Sequence, residues 1–286
     1  VKNNRLLFSS DISKSIKDSE VIIIAVGTPQ LDSGEADMTY VYSVVNSIAE
    51  NLNEYKIVCT KSTVPIGTGA KITKILKNNF KENTEFDYVS NPEFLREGSA
   101  VKDFLWPDRI IIGTSSLKAY EKMCDVYRPL YINKNPISHT SVETAEMIKY
   151  ASNSFLALKI SYINEIANLC ELVGADIHDV ASAMGKDGRI SEKFLHPGPG
   201  FGGSCFPKDL ESLIAISIEK GFHMNTLNAA INANKNQKIQ MCKKLEVLIG
   251  SNMKNKEIAV LGLAFKANTD DVRESSSIDI INFILS

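Results

Sequence analysis

The chain has 286 residues, with 34 acidic against 32 basic side chains and a net charge of -2, so it is long enough for two domains and carries no overall positive field to collect nucleic acid or an anionic membrane. Apolar residues make up 44% and charged residues 23%, which permits a sizeable core and argues against wholesale disorder. The longest purely aliphatic run, Val21 to Val26, is far shorter than the about 20 residues a membrane-spanning helix needs.

That run is β-branched and ends at Gly27-Thr28-Pro29, which predicts a strand buried on both faces. Val41, Val44, Val45, Ile48 and Leu52 then recur at helical spacing from about Met38, and Lys56 to Thr60 returns as a strand. The pattern repeats with a helix from Gly69 to Phe80, strands at Phe86 to Val89 and Arg109 to Ile112, and a helix from Leu117 to about Tyr127. Alternating strand and helix predicts a parallel, doubly wound sheet. From Val142 to about Val173 neither Pro nor Gly occurs and the apolar period is helical, so one long helix is expected. Helices follow at Asp176 to Met184, Leu210 to Lys220 and Thr226 to Leu248, giving a helical middle domain. Lys256 to Gly262 reads as a buried-type strand and Ile278 to Leu285 as a helix, the opening of a second α/β domain.

Five cysteines (Cys59, Cys124, Cys170, Cys205, Cys242) are odd in number and scattered, without the spacing of a disulfide framework or a metal site. No basic segment followed by an apolar one opens the chain, so no secretory signal is expected, and reduced thiols in the cytoplasm are the default.

The most unusual stretch is Pro197 to Leu210. Its Gly198-x-Gly200-x-x-Gly203 matches a dinucleotide-binding fingerprint by letters, but no strand precedes it, and the mechanism of that fingerprint needs one. Closely packed glycines would let the backbone approach a ligand. Cys205 sits just before Pro207, a residue favoured in a first helical turn, so its sulfur should lie near a helix N-terminus with Lys208 close by, and both favour a thiolate nucleophile. Asp209 falls one turn on and could orient a water; the bland alternative is a structural turn with an inert thiol. Lys149 and Asn153 share one face of the long helix, either toward a site or as a solvated stripe. Asn91 to Gly98 sets Glu93 and Glu97 one turn apart at the carboxyl edge of the sheet, where ligands bind such folds, or is an acid-rich helix start. Lys61 to Pro65 offers hydroxyls at the same edge, to a ligand or to cap the next helix.

Five motifs in order, Val26-Gly27-Thr28-Pro29, Lys61-Ser62-Thr63-Val64-Pro65, Asn91-Pro92-Glu93-Phe94-Leu95-Arg96-Glu97-Gly98, Gly200 to Asp209 and Phe265-Lys266-x-x-Thr269-x-Asp271-x-Arg273-Glu274-Ser275, resemble the UDP-glucose/GDP-mannose dehydrogenase family, in its UDP-glucose 6-dehydrogenase branch. The resemblance implies a partial Rossmann-like NAD-binding domain over 1–136 that lacks its first βα unit, a central all-helical dimerisation and catalytic domain over 137–252, and the beginning of a Rossmann-like UDP-binding domain over 253–286. It implies a four-electron oxidation of the C6 alcohol of UDP-glucose to a carboxylate with two NAD, through a thiohemiacetal and thioester on Cys205. Lys149 would stabilise the oxyanion with Asn153 as a donor, Glu93 would handle protons in hydrolysis, and Thr63 and Asp209 would hold a water.

The matching sugar-nucleotide positions are Glu93, Phe94, Leu95, Arg96, Glu97, Lys149, Asn153, Arg189, His196, Pro197, Gly198, Pro199, Gly200, Phe201, Gly202, Phe265 and Lys266, with Arg189 reaching into a partner subunit. Those for NAD are Val26, Gly27, Thr28, Pro29, Gln30, Ser62, Thr63, Val64, Glu97, the stretch from Cys205 to Lys208, and Arg273. No metal is implied, and the partners expected are the nucleotide sugar and a second copy in a homodimer. The family's glycine-rich turn and most of its last domain have no counterpart here, so the chain alone is expected to be weakly active or inactive. The alternatives are a dehydrogenase of GDP-mannose or UDP-N-acetylmannosamine, a two-electron 3-hydroxy acid dehydrogenase that would not need Cys205, and an inactive dimerising fragment.

Overall fold

The computed structural model describes residues 5–31, 33–79, 85–130, 136–250 and 253–286. It forms two compact units, Val1–Lys149 and Tyr150–Ser286. Among its described residues the first holds five strands in the order β1 (Val21–Ile24), β2 (Lys56–Thr60), β3 (Phe86–Ser90), β4 (Ile110–Gly113) and β5 (Ile137–Thr140). α1 (Ile12–Asp18) precedes β1, α2 (Thr39–Asn51), α3 (Thr68–Asn78), α4 (Ala100–Leu105) and α5 (Leu117–Tyr127) come between the strands, and the unit ends in the first turns of α6 (Val142–Val173).

Side chains alternate along each strand, so both faces of the sheet need cover. Ile24, Val58 and Tyr88 pack with Ile16 of α1, Val41, Val45 and Ile48 of α2 and Ile72 and Leu76 of α3. Ile57, Cys59, Val89, Ile110 and Ile112 face the other way, onto Ala119, Met123 and Tyr127 of α5. Each fully buried Ile or Leu in these layers contributes roughly 1.5–3 kcal/mol.

The expected sheet differs in detail. Pairing is parallel except between β3 and β4, which meet antiparallel at Ser90 and Gly113; the chain between them carries only the short α4 rather than a long crossover helix. β1 ends at Ile24 and lies at the sheet edge, where Ile23 is 42% exposed, so the expectation of burial on both faces fails: no second described strand flanks it. β5 was not anticipated, because Ile-Ser-His-Thr lacks an apolar run. The third helix ends at Asn78, and its expected last residue, Phe80, lies outside the described residues.

The second unit holds the rest of α6, then α7 (Ile177–Gly185), α8 (Phe206–Glu219), α9 (Asn225–Ile249) and α10 (Ser276–Leu285). Local chemistry sets their ends. Asp176 accepts the His178 and Asp179 amides to cap α7, Ser275 caps α10 through the Ser277 amide, and α9 stops at Gly250 with φ +83°. Pro207 in the first turn starts α8 at Phe206 rather than Leu210, with Cys205 at the cap position. A small core of Ala157, Phe201 and Leu210 joins α6 to α8.

The strand expected at Lys256 to Gly262 does not form, and Leu261 is 95% exposed. A strand exists by its ladder, and no described strand in this unit lies beside the segment. Among the described residues no helix is long and apolar enough to cross a membrane.

Candidate active site

In the first unit the loops after β1 and β2 are tied together. Thr28 Oγ1 donates to the Thr63 carbonyl at 2.9 Å, and Ser62 Oγ to the Val26 carbonyl at 2.6 Å. The Thr28 and Ser62 hydroxyls therefore tie the two loops at the carboxyl edge of the sheet, and neither caps α3. Gly27 is exposed, with nothing within 4 Å of where a Cβ would stand, and Pro29 and Gln30 are exposed beside it. Val64 is buried in the core.

Capping of α3 falls to Glu146 of α6, whose carboxylate accepts the Gly67 and Gly69 amides at 2.6 and 2.8 Å. Burial pushes the pKa of this carboxyl up to about 7, against the pull of those two hydrogen bonds. Gly69 must be glycine, since a Cβ would strike Val142 and lie 2.6 Å from the Tyr88 ring.

The segment from Asn91 to Gly98 is not helical, so Glu93 and Glu97 do not stand one helical turn apart. Asn91 is tied to the sheet through the Thr60 carbonyl, and Pro92 has no amide to give a helical hydrogen bond. Glu93 Oε2 accepts the Leu95 amide at 2.5 Å, and its other oxygen receives the Lys149 ammonium at 3.0 Å. The Lys149 side chain is 4% exposed, so this is a buried charge with one carboxylate partner among the described residues. The Phe94 ring carries the Arg109 guanidinium 3.9 Å from its centre and Lys149 at 5.4 Å. Arg96 instead forks onto Asp103, whose carboxyl it holds well below the usual carboxylate range.

In the second unit Asn153 donates to Asp209 Oδ2 at 2.6 Å, and Asp209 Oδ1 faces the Lys208 ammonium at 2.9 Å without hydrogen-bond angles. The charge expected to sit beside the thiol is thus paired with its neighbour, because Asp209 is buried and needs compensation. Cys205 is half-buried and free at the start of α8, with Ser204 Oγ 3.6 Å from its sulfur. Cys59, Cys170 and Cys242 are buried, and burial pushes the Cys59 thiol up to about 12.

The glycine loop is clamped by side-chain amides. Asn164 accepts the Gly198 amide, Gln237 donates to the Gly198 carbonyl, and Asn234 meets both the amide and the carbonyl of Phe201 at 2.8 and 3.0 Å. Two of its glycines are required by packing: a Cβ on Gly202 would strike the Glu274 carbonyl, and one on Gly203, at φ +82°, would lie 2.7 Å from the Phe265 ring. Gly198 alone has open space. His196 and Pro199 are exposed, and Pro197 and Gly200 half-buried. Lys266 stands 5.3 Å from the Phe265 ring centre, Arg273 pairs with Asp271 at 2.8 Å, and Arg189 pairs with Asp187 with 89% of its side chain exposed. Among the described residues no cluster could hold a metal ion.

α6 thus carries Glu146, Lys149 and Asn153 on one face, all buried, and the solvated-stripe reading of Lys149 and Asn153 fails. Glu146, Asn164, Asn234 and Gln237 were not singled out from sequence. Their signal was polar residues recurring at helical spacing on otherwise apolar faces, which identifies a buried polar stripe but not its partners.

Three domain models of one family match the chain. They are described as the NAD binding, central and UDP binding domains of the UDP-glucose/GDP-mannose dehydrogenase family, and match residues 1–131, 143–236 and 259–286. The chain is 47% identical over 284 residues to a UDP-glucose 6-dehydrogenase of Rhizobium meliloti, covering 98% of this chain and 65% of that protein. A solved UDP-glucose dehydrogenase from Pyrobaculum islandicum superposes with TM-score 0.93 at 37% identity, over 99% of this chain and 66% of that one. A UDP-D-ManNAc dehydrogenase from Pyrococcus horikoshii gives TM-score 0.83 at 30% identity, over 96% and 64%. The chain therefore spans about two thirds or less of the length of these relatives.

Proposed function

Because the chain belongs to the UDP-glucose/GDP-mannose dehydrogenase family, we propose that the complete protein carrying it oxidises the C6 alcohol of UDP-glucose to the carboxylate, as a homodimer. The observation that carries this reading is the buried Lys149–Glu93 pair: an ammonium kept on an apolar helix, with one carboxylate partner among the described residues, is costly for structure alone and suits an oxygen that gains negative charge. The dinucleotide fits the first unit, where two cross-tied loops leave the backbone at Gly27 open to close approach. Val26 to Gln30, Ser62 to Val64 and Glu97 would hold it there; Cys205 to Lys208 and Arg273 are the further positions that would serve the cofactor. When bound, NAD supplies the acceptor for the two hydrides that the four-electron oxidation releases.

The chain's own residues do the rest. Lys149, with Asn153 as hydrogen-bond donor, stabilises charge on the C6 oxygen. The Cys205 sulfur bonds to the aldehyde carbon, so that the second oxidation yields a thioester rather than a free aldehyde. Water then cleaves that thioester; Thr63 and Asp209 hold the water, Glu93 takes its proton, and the sulfur leaves. Phe94 to Arg96, the loop from His196 to Gly202, Phe265 and Lys266 bind the nucleotide sugar. Arg189 serves a site in the partner subunit, which accords with its exposure here.

The test is stoichiometric. The complete gene product is given NAD and UDP-glucose, and NADH is counted per sugar acid formed. About two is expected from the two hydride steps. One NADH with an aldehyde product would overturn the thioester route, and turnover with GDP-mannose or UDP-N-acetylmannosamine in place of UDP-glucose would overturn the substrate.

A further inference from the structure

Lys61, the residue after β2, has no part in the reading above, on which this inference rests. Its largely buried ammonium donates to Asn91 Oδ1 at 3.3 Å and to the Tyr127 hydroxyl at 3.1 Å, and it lies 5.5 Å from the centre of the Tyr127 ring. It forms no ion pair with any described carboxylate. The Tyr127 hydroxyl donates in turn to Asn91 Oδ1. Asn91 is 1% exposed and spends its remaining groups on the sheet: Nδ2 donates to the Ile111 carbonyl at 2.8 Å and the backbone amide to the Thr60 carbonyl at 2.9 Å. Pro92 fixes the next φ, and Glu93 follows.

We propose that Lys61 is a positioning residue for Glu93: by clamping the Asn91 carboxamide against the sheet, it sets the direction in which the chain delivers the Glu93 carboxylate to Lys149. A neutral side chain would suffice merely to fill this space, and burying an ammonium without a carboxylate is costly, so the charge itself is what the site retains. A charged donor gives Asn91 a stronger hydrogen bond than a neutral one and adds a fixed positive field behind the Glu93–Lys149 pair. Burial pushes the pKa of Lys61 below the ordinary lysine value; Cys59 of β2 and Glu93 oppose this, and Lys149 of α6 adds to it. Tyr127 of α5 is the remaining titratable group that faces it.

The experiment uses the complete gene product with Lys61→Met and Lys61→Arg. For Lys61→Met, kcat should fall at least about tenfold with KM for the nucleotide sugar within about threefold, because Lys61 touches no substrate. Since Glu93 serves hydrolysis, the acyl group should accumulate on Cys205 and appear in the intact-protein mass spectrum. Lys61→Arg, which can still donate to Asn91, should restore kcat and remove the acyl species. A lowered melting temperature with kcat and KM changed together and no acyl-enzyme would mark a structural residue and overturn the inference. So would full activity in Lys61→Met.

If the wild-type protein oxidises no nucleotide sugar, the functional reading fails by itself, and the positioning claim is read from the Leu95 amide proton. That proton, held by Glu93, should shift in Lys61→Met and return in Lys61→Arg. An unmoved resonance in the folded variant would overturn it.

Discussion

Glu146 Oε1 accepts the Gly69 backbone amide at 2.8 Å across 77 residues of chain, so that a side chain of α6 caps α3. The carboxyl's raised pKa makes this contact pH-dependent, with a sign that can be worked out. A folded-state pKa of about 7 lies above the unfolded value of 4.5, so between these values the folded chain holds a proton that the unfolded chain has lost. Stability from this group is therefore greatest below pH 4.5 and declines as pH rises toward 7. Glu146→Gln should be destabilised by about 1–3 kcal/mol, because its amide group would oppose one of the two N–H donors. It should also lose this part of the pH slope. Thermal melts of both proteins at pH 5 and pH 8 check this; equal slopes would refute it.

Asn234 grips both backbone groups of Phe201, as a neighbouring strand would. Asn234→Ala should cost about 2 kcal/mol, from two lost hydrogen bonds and two buried groups left unpaired. Amide exchange should quicken at Phe201. A variant with exchange there unchanged would show that the loop is held by its packing on Phe265 instead.

Asp209 is nearly fully buried between Asn153 and Lys208. Lys208→Met leaves an uncompensated charge and should destabilise by about 3 kcal/mol. Adding Asp209→Asn should recover part of that loss, because partners in one network are not additive. A double-mutant cycle by urea unfolding measures the coupling, and strict additivity would remove the ion pair from the account.

Cys205→Ser in the complete protein should abolish net sugar-acid formation by at least about a thousandfold, the scale of losing a covalent nucleophile. Melting temperature should stay within a few degrees, since the thiol fills no core position. Sugar-acid formation surviving at wild-type rate would show that the second oxidation proceeds without a thioester, through the hydrated aldehyde, and would remove Cys205 from the chemistry.

Much of the layout was legible. The β-branched runs of β2 and β4 and the unbroken apolar period of α6 located themselves, because burial on both sheet faces or along one helical stripe writes a period into the chain. β5 and the non-strand at Lys256 to Gly262 failed for one reason: ladder formation depends on a neighbour, and neither polarity nor β-branching reports whether one is there.

The site divides along the same line. Sequence alone determined the chemistry on offer: a cysteine next to a helix-starting proline, an acid one turn beyond it, and a lysine and an asparagine on one helical face. Only the tertiary structure decided how those charges are spent. It pairs Lys208 with Asp209 rather than leaving it for the thiol, sets Glu93 on Lys149, turns Glu146 into a remote cap, and packs Gly202 and Gly203 against Glu274 and Phe265. Spacing along a chain reaches one turn of helix or one step of strand, whereas a buried charge must find its partner wherever the fold brings one, and here those partners lie up to 79 residues away.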